Sequence, residues 1–450
     1  MKKYILLAIA LVLSACATTA PKANSTCSDG SAPTKSISAD GSYYVYACAN
    51  SDNGNGSSDG LVPDALKQIK VVKDWEPIAN HSALENYISE TYISIHKERH
   101  NAEYECLDRI TYAKQISPQW LQNNSQIWAQ CQSYIHVAGT KNPQIIGDIL
   151  LSWASADKDP MVWNRYYKGF NAAGYQIPST IGTFAQFYAL WYDEIAYTPK
   201  ERERVDAYMT RKLIEQKFPV LNDRTRKCNI NNINSIYHKN TGTNNCGNIR
   251  MKVAVGEIML GFRLENQTLL DNGHDDMYVV NAFINKDGIN INHASRGGST
   301  VNYSWEYTYY YSILAEIYKT VGYDFYEHTL PHGAKVHEYL DFNYRLLKDF
   351  TLTKEWAKYD VGSISNPYRF ISNLTQEQYE IEPDYGESYS YKYGDYEFVK
   401  THNPFVKRYM PDLYEQFNTK EIRSFMKSNF MMGANRGVSP YMLYLGNLSL

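Results

Sequence analysis

The chain has 450 residues, 44% of them hydrophobic and 21% charged. That is the balance of a core-burying globular protein, and it excludes wholesale disorder, a collagen-like chain and a polytopic membrane protein. A net charge of −3 lacks the basic footprint of a nucleic-acid binder. Forty tyrosines against 15 Phe and 8 Trp supply flat apolar faces with a hydroxyl tip, suited to sugar rings or to a tyrosine-rich core.

At the amino terminus, Lys2 and Lys3 precede an apolar run from Tyr4 to Leu13, too short to span a bilayer. The run ends in Leu13-Ser14-Ala15-Cys16, which resembles the bacterial lipobox. That resemblance implies a signal peptide over 1–15 and lipidation of Cys16, with the lipid as the only contact with a membrane. Ala17 after the cysteine implies sorting to the outer membrane, facing the periplasm. The alternative is an ordinary secretory signal, and either way the chain leaves the cytoplasm.

Seven cysteines less Cys16 leave six, an even number in an oxidising compartment. Fifteen connectivities are open, and chain order favours three local pairs: Cys27–Cys48, Cys106–Cys131 and Cys228–Cys246. Each would close a loop of about 20 residues, contributing roughly 3 kcal/mol.

Residues 16–60 read as a tether. They are rich in Ser, Asn, Asp, Gly and Thr and end in a wholly polar stretch from Ser51 to Gly60, which cannot bury a core. Within them, Ser42 to Ala47 reads as one short strand, part of a hairpin stapled by Cys27 and Cys48.

From residue 61 to 450 the texture is helical. Ile181, Phe184, Phe187, Tyr188, Trp191 and Ile195 follow the spacing of one buried helical face. Similar periodicity predicts helices near 82–98, 118–134, 143–155, 200–217, 246–262, 268–284, 303–320, 334–349 and 405–417. The expected class is all-α, as a helical toroid or solenoid, and no strict repeat favours the solenoid.

Between Lys200 and Lys252 there are twelve Lys/Arg against five Asp/Glu. Lys200 to Lys217 reads as a solvated helix face. Arg224, Arg226, Lys227, Lys239 and Arg250 sit amid Asn, Thr, Cys and Gly, the composition of a cationic loop able to hold a polyanion. Two polar segments precede predicted helices: Asn240 to Arg250, and Asp287 to Gly298 with a helix starting near Tyr303. Amide and guanidinium donors there suit a uronate carboxylate, because neutralising it acidifies the adjacent carbon and stabilises an enolate-like intermediate. A tyrosine hydroxyl can then exchange protons at carbon five and at the departing oxygen.

These residues carry a family resemblance. Asn244-Asn245-Cys246, then Asp287-Gly288, Arg296-Gly297 and Tyr303 seven positions after that arginine, resemble the motif of alginate lyase-like polysaccharide lyases. The match is to the mannuronate-specific lyases of polysaccharide lyase family five, and it covers about residues 240–325. It implies an incomplete (α/α) toroid, a uronate-containing acidic polysaccharide as substrate and partner, and no cofactor. By the same resemblance Asn245 and Arg296 neutralise the carboxylate and Tyr303 acts as base and acid. Asn244, Arg250, His238 and Trp305 are expected beside them as substrate contacts.

The chain departs from the family pattern at Cys246, where the family has a catalytic histidine. Ser304 stands where many members have a second histidine, and His293 where an acidic residue is common. His238, His274 and His293 are candidates to restore an imidazole, with His293 best placed. His274 beside Asp275 and Asp276 does not form a metal set, since contiguous ligands on one helix rarely converge, and no metal is expected.

In D-mannuronate and D-glucuronate the carbon-five proton and the carbon-four oxygen leave from one side of the ring, where one tyrosine can serve both. Loss of histidine at 246 therefore points to syn elimination by Tyr303. Two other readings stand beside this one. A non-catalytic polysaccharide-binding lipoprotein of exopolysaccharide or capsule assembly would also lack the histidine. The acidic, aromatic stretch from Tyr379 to Glu397, a cleft lid or a pair of strands, keeps a two-carboxylate glycoside hydrolase in view.

Overall fold

The structure, a computed structural model, describes residues 61–77, 135–156, 172–217, 247–294, 300–349 and 395–417, with single positions at 132 and 352 and two strands nearer the amino terminus. The chain divides into two units, Met1–Asp59 and Gly60–Leu450. In the first, β1 (Thr34–Ile37) pairs antiparallel with β2 (Tyr44–Ala47), with Thr34 opposite Ala47 and Ile37 opposite Tyr44. The expected strand is therefore the second arm of a hairpin. Every cysteine lies outside the described residues, and so do the predicted helix at 82–98 and nearly all of that at 118–134.

Among the described residues the second unit is helical. Its long helices are α1 (Gln144–Ala156), α2 (Ala172–Leu190), α3 (Pro199–Lys217), α4 (Asn248–Arg263) and α5 (Gln267–Asn281). The short α6 (Ile291–Ala294) leads into α7 (Thr300–Lys319) and α8 (Val336–Lys348). Three one- to two-turn helices follow: α9 (Asp395–Thr401), α10 (Asn403–Tyr409) and α11 (Pro411–Phe417). The expected all-α class holds for these residues, and none of their helices is long and apolar enough to cross a membrane.

Local chemistry explains the helix starts. Before α3, the Thr198 N–H donates to Glu201 Oε2 (2.9 Å) and the Glu201 N–H to Thr198 Oγ1 (3.3 Å), a reciprocal cap followed by Pro199 at a position needing no N–H donor. Asn266 caps α5 by accepting from the Leu269 N–H at 3.2 Å. One difference from the periodicity concerns 405–417, which reads as a single helix and is two. Pro411 disfavours helical geometry at Met410, whose φ of −134° and ψ of 58° break the run. Another is Asp395, which opens α9, so the last residues of the acidic stretch are helical rather than a strand, while 379–394 lie outside the described residues.

Packing centres on α4. It lies against α2 on one side, α5 on another and α7 beyond, while α7 also packs on α8. Every residue from Ile249 to Phe262 is buried, although periodicity shows apolar residues on one face only. A helix enclosed on all sides has no wet face. Residues 61–77 form an arm across the far end of α4 and α7: Trp75 stacks on Phe262 (5.6 Å between centroids) and its Nε1–H donates to Thr320 Oγ1 (2.7 Å).

Candidate functional site

The segment leading into α7 is shaped by asparagines and one glycine. Asn285 Oδ1 accepts from the Asp287 and Ile289 N–H groups (3.0 and 2.9 Å), closing a turn in which Gly288 adopts φ +74°. Left-handed backbone suits glycine, and a Cβ there would also meet the Glu338 carbonyl oxygen at 3.0 Å. The Asp287-Gly288 pair is thus a turn device. Asn290 Oδ1 accepts from the His293 N–H (3.1 Å), and the Thr300 hydroxyl donates to the His293 carbonyl (3.1 Å), tying α6 to the start of α7.

Tyr303 sits in the first turn of α7. Among the described side chains from Thr300 to Tyr318 it alone is not fully buried. The buried His293 lies against it, with ring centroids 5.9 Å apart and planes 27° from parallel. Tyr307, one turn further on, meets the His293 ring edge-on at 4.1 Å. The imidazole expected at the cleft therefore stands behind the tyrosine, held between two phenol rings.

The beginning of α4 meets the same turn of α7. Asn248 Nδ2 donates to Glu306 Oε2 (2.9 Å), and Lys252 Nζ pairs with Glu306 Oε1 (3.0 Å). The Lys252 carbonyl in turn accepts from Gln186 Nε2 of α2 (3.1 Å). These bonds bring the first residues of α4, Asn248 and Lys252, against the turn of α7 that follows Tyr303.

Of the sequence-predicted site residues, the structure joins Tyr303 and His293. Arg250 is in α4 rather than in a loop, 1% exposed, so it does not belong to a solvent-facing cationic loop. Lys252 is likewise withdrawn from the local positive excess, because its charge is matched by Glu306. Trp305 is 5% exposed, with Phe398 and His402 against its ring at 6.3 and 5.4 Å. That is a core position, although Trp305 was expected as a substrate contact.

His274 is buried at the other end of α7, its ring 6.0 Å from that of Tyr318, about 22 Å along the helix from Tyr303 at 1.5 Å per residue. Asn244, Asn245, Arg296, His238 and Cys16 lie outside the described residues. Asn248, Lys252, Glu306 and Tyr307 were not foreseen from the sequence. The signal available for them was spacing: Asn248 and Lys252 are four apart on one predicted helix, and Glu306 and Tyr307 are one turn from Tyr303. Among the described residues no group of His, Cys, Asp or Glu is arranged to hold a metal ion.

No protein-family model matches the sequence, and no curated protein does. Solved structures of similar shape include a histidine-to-alanine variant of alginate lyase A1-III complexed with tetrasaccharide, 15% identical with a TM-score of 0.47 over 84% of this chain and 97% of that one. A tyrosine-to-phenylalanine variant of the same lyase, also complexed with tetrasaccharide, is 13% identical with a TM-score of 0.48, covering 85% and 98%. Alginate lyase A1-III from Sphingomonas species A1 is 14% identical with a TM-score of 0.47, covering 85% and 99%. At such identities and TM-scores the likeness is one of shape alone.

Proposed function

We propose that this protein is a polysaccharide lyase that cleaves a uronate-containing acidic polysaccharide by β-elimination. The observation that carries the reading is Tyr303. It is the one side chain of the buried α7 face, among those described, that reaches solvent, and the turn that carries it is tied to the start of α4 by the Asn248–Glu306 hydrogen bond. In the reaction the Tyr303 oxygen takes the carbon-five proton on one side of the sugar as its own hydroxyl proton passes to the leaving oxygen. The carbon-four to oxygen bond breaks as the double bond between carbons four and five forms, and the tyrosine ends in the state in which it began. Asn245 and Arg296 neutralise the carboxylate and stabilise the enolate-like state. His293, walled in by Tyr303 and Tyr307, orients the phenol rather than carrying a proton, so D-mannuronate- or D-glucuronate-type linkages are favoured.

The helices are proposed to form an incomplete (α/α) toroid around the cleft. The chain is proposed to be held at the periplasmic face of the outer membrane by lipidated Cys16, with Cys27–Cys48, Cys106–Cys131 and Cys228–Cys246 bridged. Radiolabelled palmitate incorporated by the wild type but not by Cys16→Ser supports the anchor. Full thiol labelling of the unreduced protein at Cys246 refutes its bridge.

Incubating the purified protein with a panel of uronate polymers, and following the ultraviolet absorbance of unsaturated uronates, tests the activity. Product from a mannuronate or glucuronate polymer supports the lyase. Binding without product across the whole panel supports instead a non-catalytic polysaccharide-binding lipoprotein, the reading that Cys246 in place of histidine favours.

A further inference from the structure

Lys252 and Glu306 form an ion pair with side chains only 1% and 7% exposed. Desolvating two charges to this extent offsets most of their attraction, and well-packed apolar residues of similar size often serve stability as well or better. The worth of such a pair lies in geometry. Here the geometry joins three helices. Lys252 is held at its carbonyl by Gln186 of α2 and at its ammonium by Glu306 of α7. The second carboxylate oxygen of Glu306 accepts from Asn248 at the start of α4. Glu306 lies three residues, about 4.5 Å of helix rise, from Tyr303.

Resting on the lyase reading, we infer that Lys252 and Glu306 are positioning residues for the elimination. The pair locks the Tyr303 turn of α7 in register with the start of α4, and so sets where the proton carrier stands on that helix pair. A one-turn slip of α7 would separate the Lys252 ammonium from the Glu306 carboxylate. Neither residue touches the sugar.

The test is the double variant Lys252→Met with Glu306→Gln, which removes both charges and keeps an amide to bond Asn248. Lys335→Met with Glu327→Gln, which removes a half-exposed pair (2.6 Å), is the control. The expected result is a melting temperature of the Lys252/Glu306 variant at or above wild type, kcat on the preferred polymer lower by on the order of 10²-fold, and KM within about twofold, as misplacement of a reacting group predicts. The NMR ring signals of His293, shifted by Tyr303 and Tyr307, should move in this variant and not in the control. Wild-type kcat together with unmoved His293 signals overturns the inference. If the wild-type protein cleaves no polymer, the lyase reading fails separately and the His293 signals alone decide: unmoved, they overturn the positioning role, and moved, they support it. If the double variant does not fold, Glu306→Asp takes its place, and the same kcat, KM and His293 signals support or overturn the positioning role in the same way.

Discussion

Gly182 and Gly256 bring the backbones of α2 and α4 into direct contact: a Cβ on Gly256 would lie 2.6 Å from the Gly182 carbonyl oxygen. A Cβ on Gly182 would lie 2.7 Å from the Lys252 carbonyl oxygen. The obstacle in both cases is main chain, which cannot rotate aside, so a methyl group must push the helices apart. Gly256→Ala should destabilise the protein by at least the roughly 1–3 kcal/mol of ordinary core overpacking. Urea unfolding measures this, and an unchanged midpoint would refute the close contact.

Tyr303→Phe keeps the ring against His293 and removes the hydroxyl. General acid–base groups contribute roughly 10²–10⁴-fold, so kcat should fall by at least about 10² with polymer affinity retained. A fully active Tyr303→Phe enzyme would end the assignment.

Trp305→Ala separates the core role from substrate contact. Emptying the site between Phe398 and His402 should destabilise by about 3–5 kcal/mol. Measured at low temperature on folded protein, polymer affinity should be unchanged. A normal unfolding midpoint with weakened binding would restore Trp305 to the cleft.

Acid sensitivity follows from three buried histidines. Burial pushes His274 and His328 down to about 4 and His402 to about 3, from 6.5. Above pH 6.5 the imidazoles are neutral in both folded and unfolded chains. Below it the unfolded chain binds protons that the folded chain refuses, so stability is lost as pH falls from about 6.5 to about 4. Asp64, raised by burial from 3.8 to about 6, works in the opposite direction, as do Asp206, Asp287 and Glu316, also raised by burial, so the histidine contribution is read as the difference between wild type and a histidine variant. His402 and His328 are hydrogen-bonded to Ser312 and Tyr323 (2.6 and 2.8 Å), whereas neither ring nitrogen of His274 has a partner. His274→Phe should therefore flatten the decline between pH 7 and 4 without losing a hydrogen bond. An unaltered slope of denaturation midpoint against pH would show that His274 is not one of its sources.

Helix positions were legible because a buried stripe repeats every 3.6 residues and caps punctuate it. The predicted spans at 143–155, 200–217, 246–262, 268–284 and 334–349 fall within a few residues of α1, α3, α4, α5 and α8. Tyr303 was singled out by the family resemblance, and the structure places it in the first turn of α7. What the chain order determined alone is local: where helices start, where Pro411 breaks one, and which glycine closes the Asp287-Gly288 turn. The fate of the polar residues was decided in three dimensions. Arg250 and Trp305 read as loop or cleft residues from their neighbours in sequence, yet both are buried, as are Lys252 and Glu306, for which the sequence suggested no role. A charge can be buried only where a counter-charge meets it, and for Lys252 that partner is Glu306 on another helix. Periodicity describes one helix at a time, so it cannot show that α4 is enclosed by α2, α5 and α7, and enclosure is what turns its polar residues inward.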